Sequence, residues 1–292
     1  MRWKVAVVGV ALLALGVLLV TREGWTQPMP LYETRQVARD VYLFRYRTHN
    51  SLFIVTPEGV VVNDPISTEA ASVALQEIRR ITSQPVRFLI YSHHHFDHIT
   101  GGHVFGPNVE IIAHKNCKKR LEVLKNPDIP LPTITFEDRY VLLLGGRRIE
   151  LLWAGISHSD NLILTYLPEE KLLFVVDAVA NRRTGFTRMP DSFFPELFQA
   201  LERMREIPFE ILVLGHGAPG GRDVLEAYIG YWKDLDAEVR RLMAEGMDTF
   251  PEGLEAMLKV IDLPKYRDWG GVQQGWLKMN AERLWWYHRL GW

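Results

Sequence analysis

The apolar positions of this chain change period as one reads along it. From Val37 to Val62 they come in runs of three or four: Val41-Tyr42-Leu43-Phe44, Leu52-Phe53-Ile54-Val55 and Val60-Val61-Val62. Pro57-Glu58-Gly59 punctuates the last two runs, which predicts a meander of strands. From Thr68 to Ile81 the spacing becomes helical, with Ala71, Ala74, Leu75 and Ile78 on one face and Ser67 or Thr68 as the cap. Phe88–Tyr91 and Val109–Ala113 read as buried strands, the second leading into a helix over 116–124. Asn126 to Pro132 holds three prolines and reads as a loop. Tyr140–Leu144 and Arg147–Trp153 form a hairpin pattern through Gly145-Gly146, and Leu162–Leu167 pairs with Leu172–Val176 through Pro168–Lys171. A helix is predicted over Ser192–Ile207, with Phe194, Leu197, Phe198 and Leu201 on one stripe, followed by a strand at Phe209–Leu214. From Val224 onward the pattern is helical, broken near Pro251 and Pro264. Two strand-rich halves, each followed by helices, predict an α/β sandwich, not a doubly wound sheet.

Composition narrows the chemistry. The 292 residues carry 34 Lys+Arg against 35 Asp+Glu, a formal net charge of -1, so the strong basic bias of a nucleic-acid binder is missing. One cysteine among ten histidines excludes an internal disulfide and any metal site built on several thiolates. A metal site here must rely on imidazole and carboxylate. At the amino terminus, Arg2 and Lys4 precede an uninterrupted apolar run over residues 5–20, the form of an export signal. No A-x-A-like cleavage site follows, so an uncleaved signal anchor is favoured over a cleaved peptide. Basic residues before the run place the remainder on the exported, periplasmic or extracytoplasmic side, with the membrane as a partner if the segment stays. Residues 1–27 are therefore set apart from a main domain over 28–222 and a helical region over 223–292.

The densest chemistry lies directly after the Phe88–Tyr91 strand, in His93-His94-His95-Phe96-Asp97-His98. An extended segment would put His93, His95 and Asp97 on one side. Imidazoles and a carboxylate at a strand end suit borderline-soft divalent metals. Core packing is a poor explanation, because clustered rings would leave ring nitrogens unpaired at high cost.

These residues read as H-x-H-x-D-H and resemble the signature of the metallo-β-lactamase superfamily. Three further segments resemble that family's pattern in order: Gly155-Ile156-Ser157-His158-Ser159-Asp160-Asn161, Phe174-Val175-Val176-Asp177 and Leu214-Gly215-His216-Gly217. The resemblance covers roughly residues 37–220 and implies a four-layer αββα sandwich. It also implies two divalent ions, most commonly Zn2+, with Fe or Mn as alternatives. By that resemblance His93, His95 and His158 would hold the first ion, Asp97, His98 and His216 the second, and Asp177 would bridge them. Two such ions bring bound water towards a pKa of about 7. The family's bridging hydroxide, oriented by Asp97, then attacks an electrophilic centre in a small-molecule substrate.

Asp177 stands where the best-known zinc β-lactamases carry a cysteine or a small residue, which points to ester, lactone, thioester or related hydrolysis. The His158-Ser159-Asp160-Asn161 loop instead looks like the cysteine-bearing β-lactamases, so β-lactam amides stay open. An iron-dependent oxidoreductase of the same fold, similar to persulfide dioxygenases, is a further alternative. A non-catalytic module is disfavoured, because such chains lose ligands. Arg182, Arg183 and Arg188, shortly after Asp177, are candidate contacts for a substrate anion. His94, as the x position, and His49, His103 and His288 are given structural or surface parts, His114 a structural or supporting one, and Cys117 reads as a free thiol. Six of the nine tryptophans fall between Val224 and Trp292, at spacings that suit a core.

Overall fold

The computed structural model describes residues 30–291. The apolar segment over 5–20, and with it the anchor and export expectation, lies outside the described residues. Among the described residues no helix is long and apolar enough to cross a membrane.

Seven strands form one sheet in sequence order: β1 (Tyr32–Ala38), β2 (Val41–Tyr46), β3 (His49–Thr56), β4 (Gly59–Asn63), β5 (Val86–Ile90), β6 (Glu110–His114) and β7 (Ile134–Phe136). β1 to β4 are an antiparallel meander, whereas β4 to β7 run parallel and need crossovers. Two of those crossovers carry α1 (Thr68–Ile81) and α3 (Lys115–Leu124). The second sheet has five strands in the order β12 (Ile211–Leu214), β11 (Leu172–Val175), β10 (Ile163–Leu167), β9 (Arg147–Trp153) and β8 (Arg139–Leu144). Only β11 and β12 pair in parallel there, across α4 (Phe194–Glu206). After β12 come α5 (Arg222–Leu242), α6 (Glu252–Val260) and α7 (Trp276–Leu290).

Strand side chains alternate between faces, and that alternation builds the layers. Val41, Leu43, Leu52, Ile54, Val61, Ile90 and Ile112 from the first sheet meet Ile149, Ile163, Phe174 and Val213 from the second in one buried cluster. Their neighbours Phe44, Phe53, Val60, Val62 and Leu89 face the other way, against Ala70, Ala74 and Ile78 of α1 and Leu121 of α3. On the far side of the second sheet, Leu164, Leu173, Val175, Leu212 and Leu214 pack on α4, α5, α6 and α7. The result is the four-layer αββα sandwich, with the carboxyl-terminal helices in the outer layer. Leu31–Trp292 cluster as one compact unit.

Helix α1 starts where Ser67 Oγ accepts the Ala70 N–H at 3.1 Å. Its acidic first turn (Glu69) and basic last turn (Arg79, Arg80) complement the helix dipole. Two strands are absent from the hydrophobic pattern: β1 is a largely exposed edge and β7 spans three residues. The carboxyl-terminal region is also less continuous than its pattern suggests. Glycines 270, 271 and 275 hold a turn segment between Pro264–Tyr266 and α7. Much of the aromatic content of this region is core: Trp232 and Trp285 are fully buried, and Trp285 Nε1–H donates to Met247 O at 2.7 Å.

Candidate metal centre

The carboxyl ends of β4, β5, β11 and β12, with the start of β3, come together at one end of the sandwich, where backbone groups leave the ladders and side chains can converge. β5 runs into the histidine-rich segment. Here the structure departs from the extended expectation. A helical turn, α2 (Phe96–Ile99), begins at once and takes His95 as its cap residue. Asp97 and His98 therefore sit on a helical turn while His93 and His95 precede it. β11 ends in a sharp turn at Asp177, whose φ of 58 is in the left-handed region, uncommon for a residue with a Cβ. Gly215 lets β12 deliver His216 beside that turn. A Cβ there would lie 2.7 Å from Val176 Cγ1 and 3.0 Å from its Cα.

Two donor groups surround Asp177, and a third set, His94, His95 and Asp191, borders the first. His93, His95, His158 and Asp177 each offer a ligand atom within 4.8 Å of the others. His158 Nε2 lies 3.0 Å from His95 Nδ1, and Asp177 Oδ2 lies 3.6 Å from His93 Nε2 and 3.5 Å from His158 Nε2. The second group is His49, Asp97, His98 and His216, within the same 4.8 Å span. Its His98 and His216 Nε2 atoms face each other at 3.3 Å. Asp177 reaches these two as well, through Oδ2 at 3.0 Å from His98 and Oδ1 at 3.1 Å from His216. All seven residues singled out by sequence therefore meet at this end of the molecule, and Asp177 touches both groups.

Ligands on one tetrahedral ion with bonds of about 2.0–2.2 Å stand ~3.3 Å apart. The separations here fit that figure. The ring of His93 is fully buried, its Nδ1 lies 2.9 Å from Ser92 Oγ, and its Nε2 has no hydrogen-bond partner. A buried nitrogen with no proton acceptor or donor is costly, and a cation would satisfy it. The protonation states of His93 and His158 agree with that role. Burial drives His93 well below its ordinary value and His158 down to about 4, which keeps both imidazoles neutral, the ligating form. Burial opposes the Asp177 charge, but His98 and His216 outweigh it and hold the carboxyl well below the usual range. Burial likewise opposes charge on His98, yet Asp177 and Asp64 hold it up to about 9. The hydrogen bond with His49, opposed by burial, holds Asp97 down to about 2.

Outer partners orient the rings. His95 Nε2–H donates to Asp191 at 2.7 Å, leaving Nδ1 for the centre, and His216 Nδ1–H donates to Thr48 O at 2.9 Å. Behind His98, Asp64 Oδ2 stands 3.8 Å from Nδ1 while Oδ1 accepts the Ser92 N–H at 2.8 Å. Asp64 is wholly buried, and burial pushes its carboxyl up to about 6. His94 lies beside the first group, its Nε2 3.9 Å from Asp191 Oδ2, and is clamped by Asn161. Its N–H donates to Asn161 Oδ1 at 2.9 Å, which sets the amide so that Nδ2 donates to His94 Nδ1 at 3.0 Å. His49, given a structural or surface part by sequence, instead lies 3.2 Å from Asp97 Oδ2. Asp64 and Asp191 carried no motif at all. A buried Asn-Asp after an apolar strand is the one local signal that could have found Asp64.

The loop after Asp177 is stapled to the carboxyl-terminal region. Asn280, fully buried, accepts from Tyr231 Oη at 2.7 Å and donates to Gly185 O at 3.1 Å and Thr187 O at 2.6 Å. Arg182 pairs with Asp268, Arg188 with Glu282 at 3.1 Å, and the Arg183 guanidinium lies 4.7 Å over the Trp276 ring. The three candidate substrate arginines are thus each engaged by the carboxyl-terminal region. Cys117 is buried, and burial pushes its thiol up, which makes it an inert core residue.

A family model described as the Metallo-beta-lactamase superfamily matches residues 45–216. The chain is 26% identical over 233 residues to the 2,4-dinitroanisole O-demethylase subunit alpha of Nocardioides sp. (strain JS1661), covering 76% of this chain and 70% of that protein. It is 23% identical over 240 residues to a linear primary-alkylsulfatase of Pseudomonas sp. (strain ATCC 19151), covering 64% of this chain and 45% of that longer protein. Among solved structures, a metallo-beta-lactamase from Pontibacter korlensis superposes with a TM-score of 0.62 at 22% identity, over 68% of this chain and 97% of that one.

Proposed function

The chain belongs to the metallo-beta-lactamase superfamily, and from that premise we propose that it is a dinuclear metal-dependent hydrolase acting on a small molecule. One observation carries this reading: Asp177 lies within 3.6 Å of His93, His158, His98 and His216 and so joins two donor groups that share no other residue. His93, His95 and His158 would hold one ion, Asp97, His98 and His216 the other, with Asp177 between them. Such ions supply a water acidified to a pKa of about 7 and an electrophile for the oxygen that gains charge. Zinc suits the imidazole-rich donor set.

The protein's own residues keep that centre ready. Neutral His93 and His158 keep lone pairs available, Asp191 and Thr48 fix the ring tautomers of His95 and His216, and Asp97 stays ionised at every working pH. The two relatives above are named for removal of an O-methyl group and cleavage of an alkyl sulfate, and the solved neighbour for β-lactams. Oxygen-linked leaving groups are therefore the first class to test, beside lactones and thioesters. The full chain, purified in detergent, should turn over at least one of a panel of lactones, thioesters, sulfate esters, aryl methyl ethers and β-lactams, in step with its metal content. Turnover that persists after complete metal removal would sink the proposal. Iron as the native metal, with oxygen consumed, would shift it to the oxidoreductase alternative.

The location belongs to the same proposal: export, with the apolar run over residues 5–20 as an anchor. The run and its basic flank support this. Recovery of the intact chain in the membrane pellet after alkaline extraction is expected, and recovery in the soluble fraction with its first residues intact would argue against it.

A further inference from the structure

His49 opens β3 and lies more than forty residues before the histidine-rich segment, yet its ring stands 4.3 Å from that of His216 and 5.1 Å from that of His98, edge-on to both. Its backbone is built into the segment that delivers His216. Residues 49 and 216 form an antiparallel bridge, and the Asn50 N–H donates to Gly215 O at 2.7 Å. The buried Asn50 amide donates to Leu214 O and Gly217 O, both at 2.8 Å. The hydrogen bonds that fix His216 therefore fix His49 on the same template.

Both rings also lean on Thr48. His216 Nδ1–H donates to its carbonyl at 2.9 Å, and His49 Nδ1 lies 3.4 Å from its hydroxyl oxygen. With Nδ1 turned to Thr48, each ring presents Nε2 to the cluster. The 3.2 Å between His49 Nε2 and Asp97 Oδ2 matches the ~3.3 Å expected of two donors on one ion.

We propose that His49 is an eighth donor of the metal centre, joining Asp97, His98 and His216 on the second ion. This rests on the dinuclear reading above and goes beyond it. The two sites become unequal: three imidazoles and the shared Asp177 at the first, three imidazoles, Asp97 and the shared Asp177 at the second. Five protein donors exceed a tetrahedral set, so the second site accommodates a five- or six-coordinate ion and holds it more firmly than the first.

The test loads the full-length chain with Co2+ alone and compares it with His49→Ala and His49→Gln, the latter keeping an amide able to hydrogen-bond Asp97. Wild type should take up two cobalt ions and show six hyperfine-shifted imidazole N–H resonances. Both variants should lose one resonance and at least tenfold in affinity for one of the two ions, with the other ion unaffected. Five resonances in wild type, or full recovery of affinity by His49→Gln, would show that His49 only hydrogen-bonds Asp97 and would overturn the proposal while leaving two ions in place. Uptake of fewer than two ions by wild type would overturn the dinuclear reading and this proposal together.

Discussion

At the scale of single residues, ligands and their supports divide sharply in how visible they are. His93, His95, Asp97 and His98 sit within six positions, so one local pattern exposes them. Asp191, Asp64 and His49 gain their meaning only from folding: Asp191 reaches His95 from 96 positions away, and His49 reaches Asp97 from 48. No period or spacing in the sequence encodes such contacts. Two predictions belong here. Asp191→Ala removes the acceptor of His95 Nε2–H and should weaken metal binding by about 10–100-fold, as losses of such partners do. Chelator competition measures this, and Asp191→Asn should recover part of the loss.

The second concerns Asp64. Its carboxyl keeps a proton up to about 6 in the folded chain, against an ordinary value of 3.8. Between those values the folded state binds more protons than the unfolded one, so stability falls as pH rises through the window. Above pH 6 the cost is fully present, about 3 kcal/mol at about 1.4 kcal/mol per pH unit. Asp64→Asn keeps an acceptor for the Ser92 N–H and removes that cost. Metal-free Asp64→Asn should therefore unfold at higher denaturant than metal-free wild type at pH 8, with the gap closing towards pH 4. A gap that does not change with pH would contradict the assignment.

At the scale of elements, the continuous apolar runs place the buried strands because each faces two apolar layers. β1 escapes for the complementary reason: Tyr32–Ala38 is an edge whose positions are mostly exposed, so no alternation is imposed on its sequence. The helical start of Asp97 and His98 also escapes, since four residues are too few to show a period. The aromatic tail is read correctly as core, but its purpose is legible only in three dimensions. Through Asn280 it grips the loop that carries Asp191. Asn280→Ala strands Gly185 O, Thr187 O and Tyr231 Oη in a buried site. At about 1–3 kcal/mol for an unsatisfied group, a loss of about 3 kcal/mol or more is expected in thermal or denaturant melts. Because the same loop holds Asp191, chelator sensitivity should rise too. Lost stability with unchanged metal affinity would show that the staple acts on the fold alone.

At the scale of the whole molecule, a near-neutral chain with one cysteine concentrates its chemistry in one place. Eight of the ten histidines are accounted for by the centre, its rim or the buried core, while half-buried His288 pairs with Asp236 and His103 lies 3.3 Å from Asp128 O. The four layers explain this economy. The parallel strands β4, β5, β11 and β12 end on the same side, and each of these ends contributes a ligand or a ligand's support. The central claim is that these ends form one dinuclear centre on which turnover depends. Metal content and turnover of the purified full chain, followed together through chelation and readdition, test it most directly. Two divalent ions per chain, activity lost with them and restored by their return, and neither retained by Asp177→Ala are expected. A metal-free chain, or an Asp177→Ala chain, that turns over substrate at the wild-type rate would contradict it.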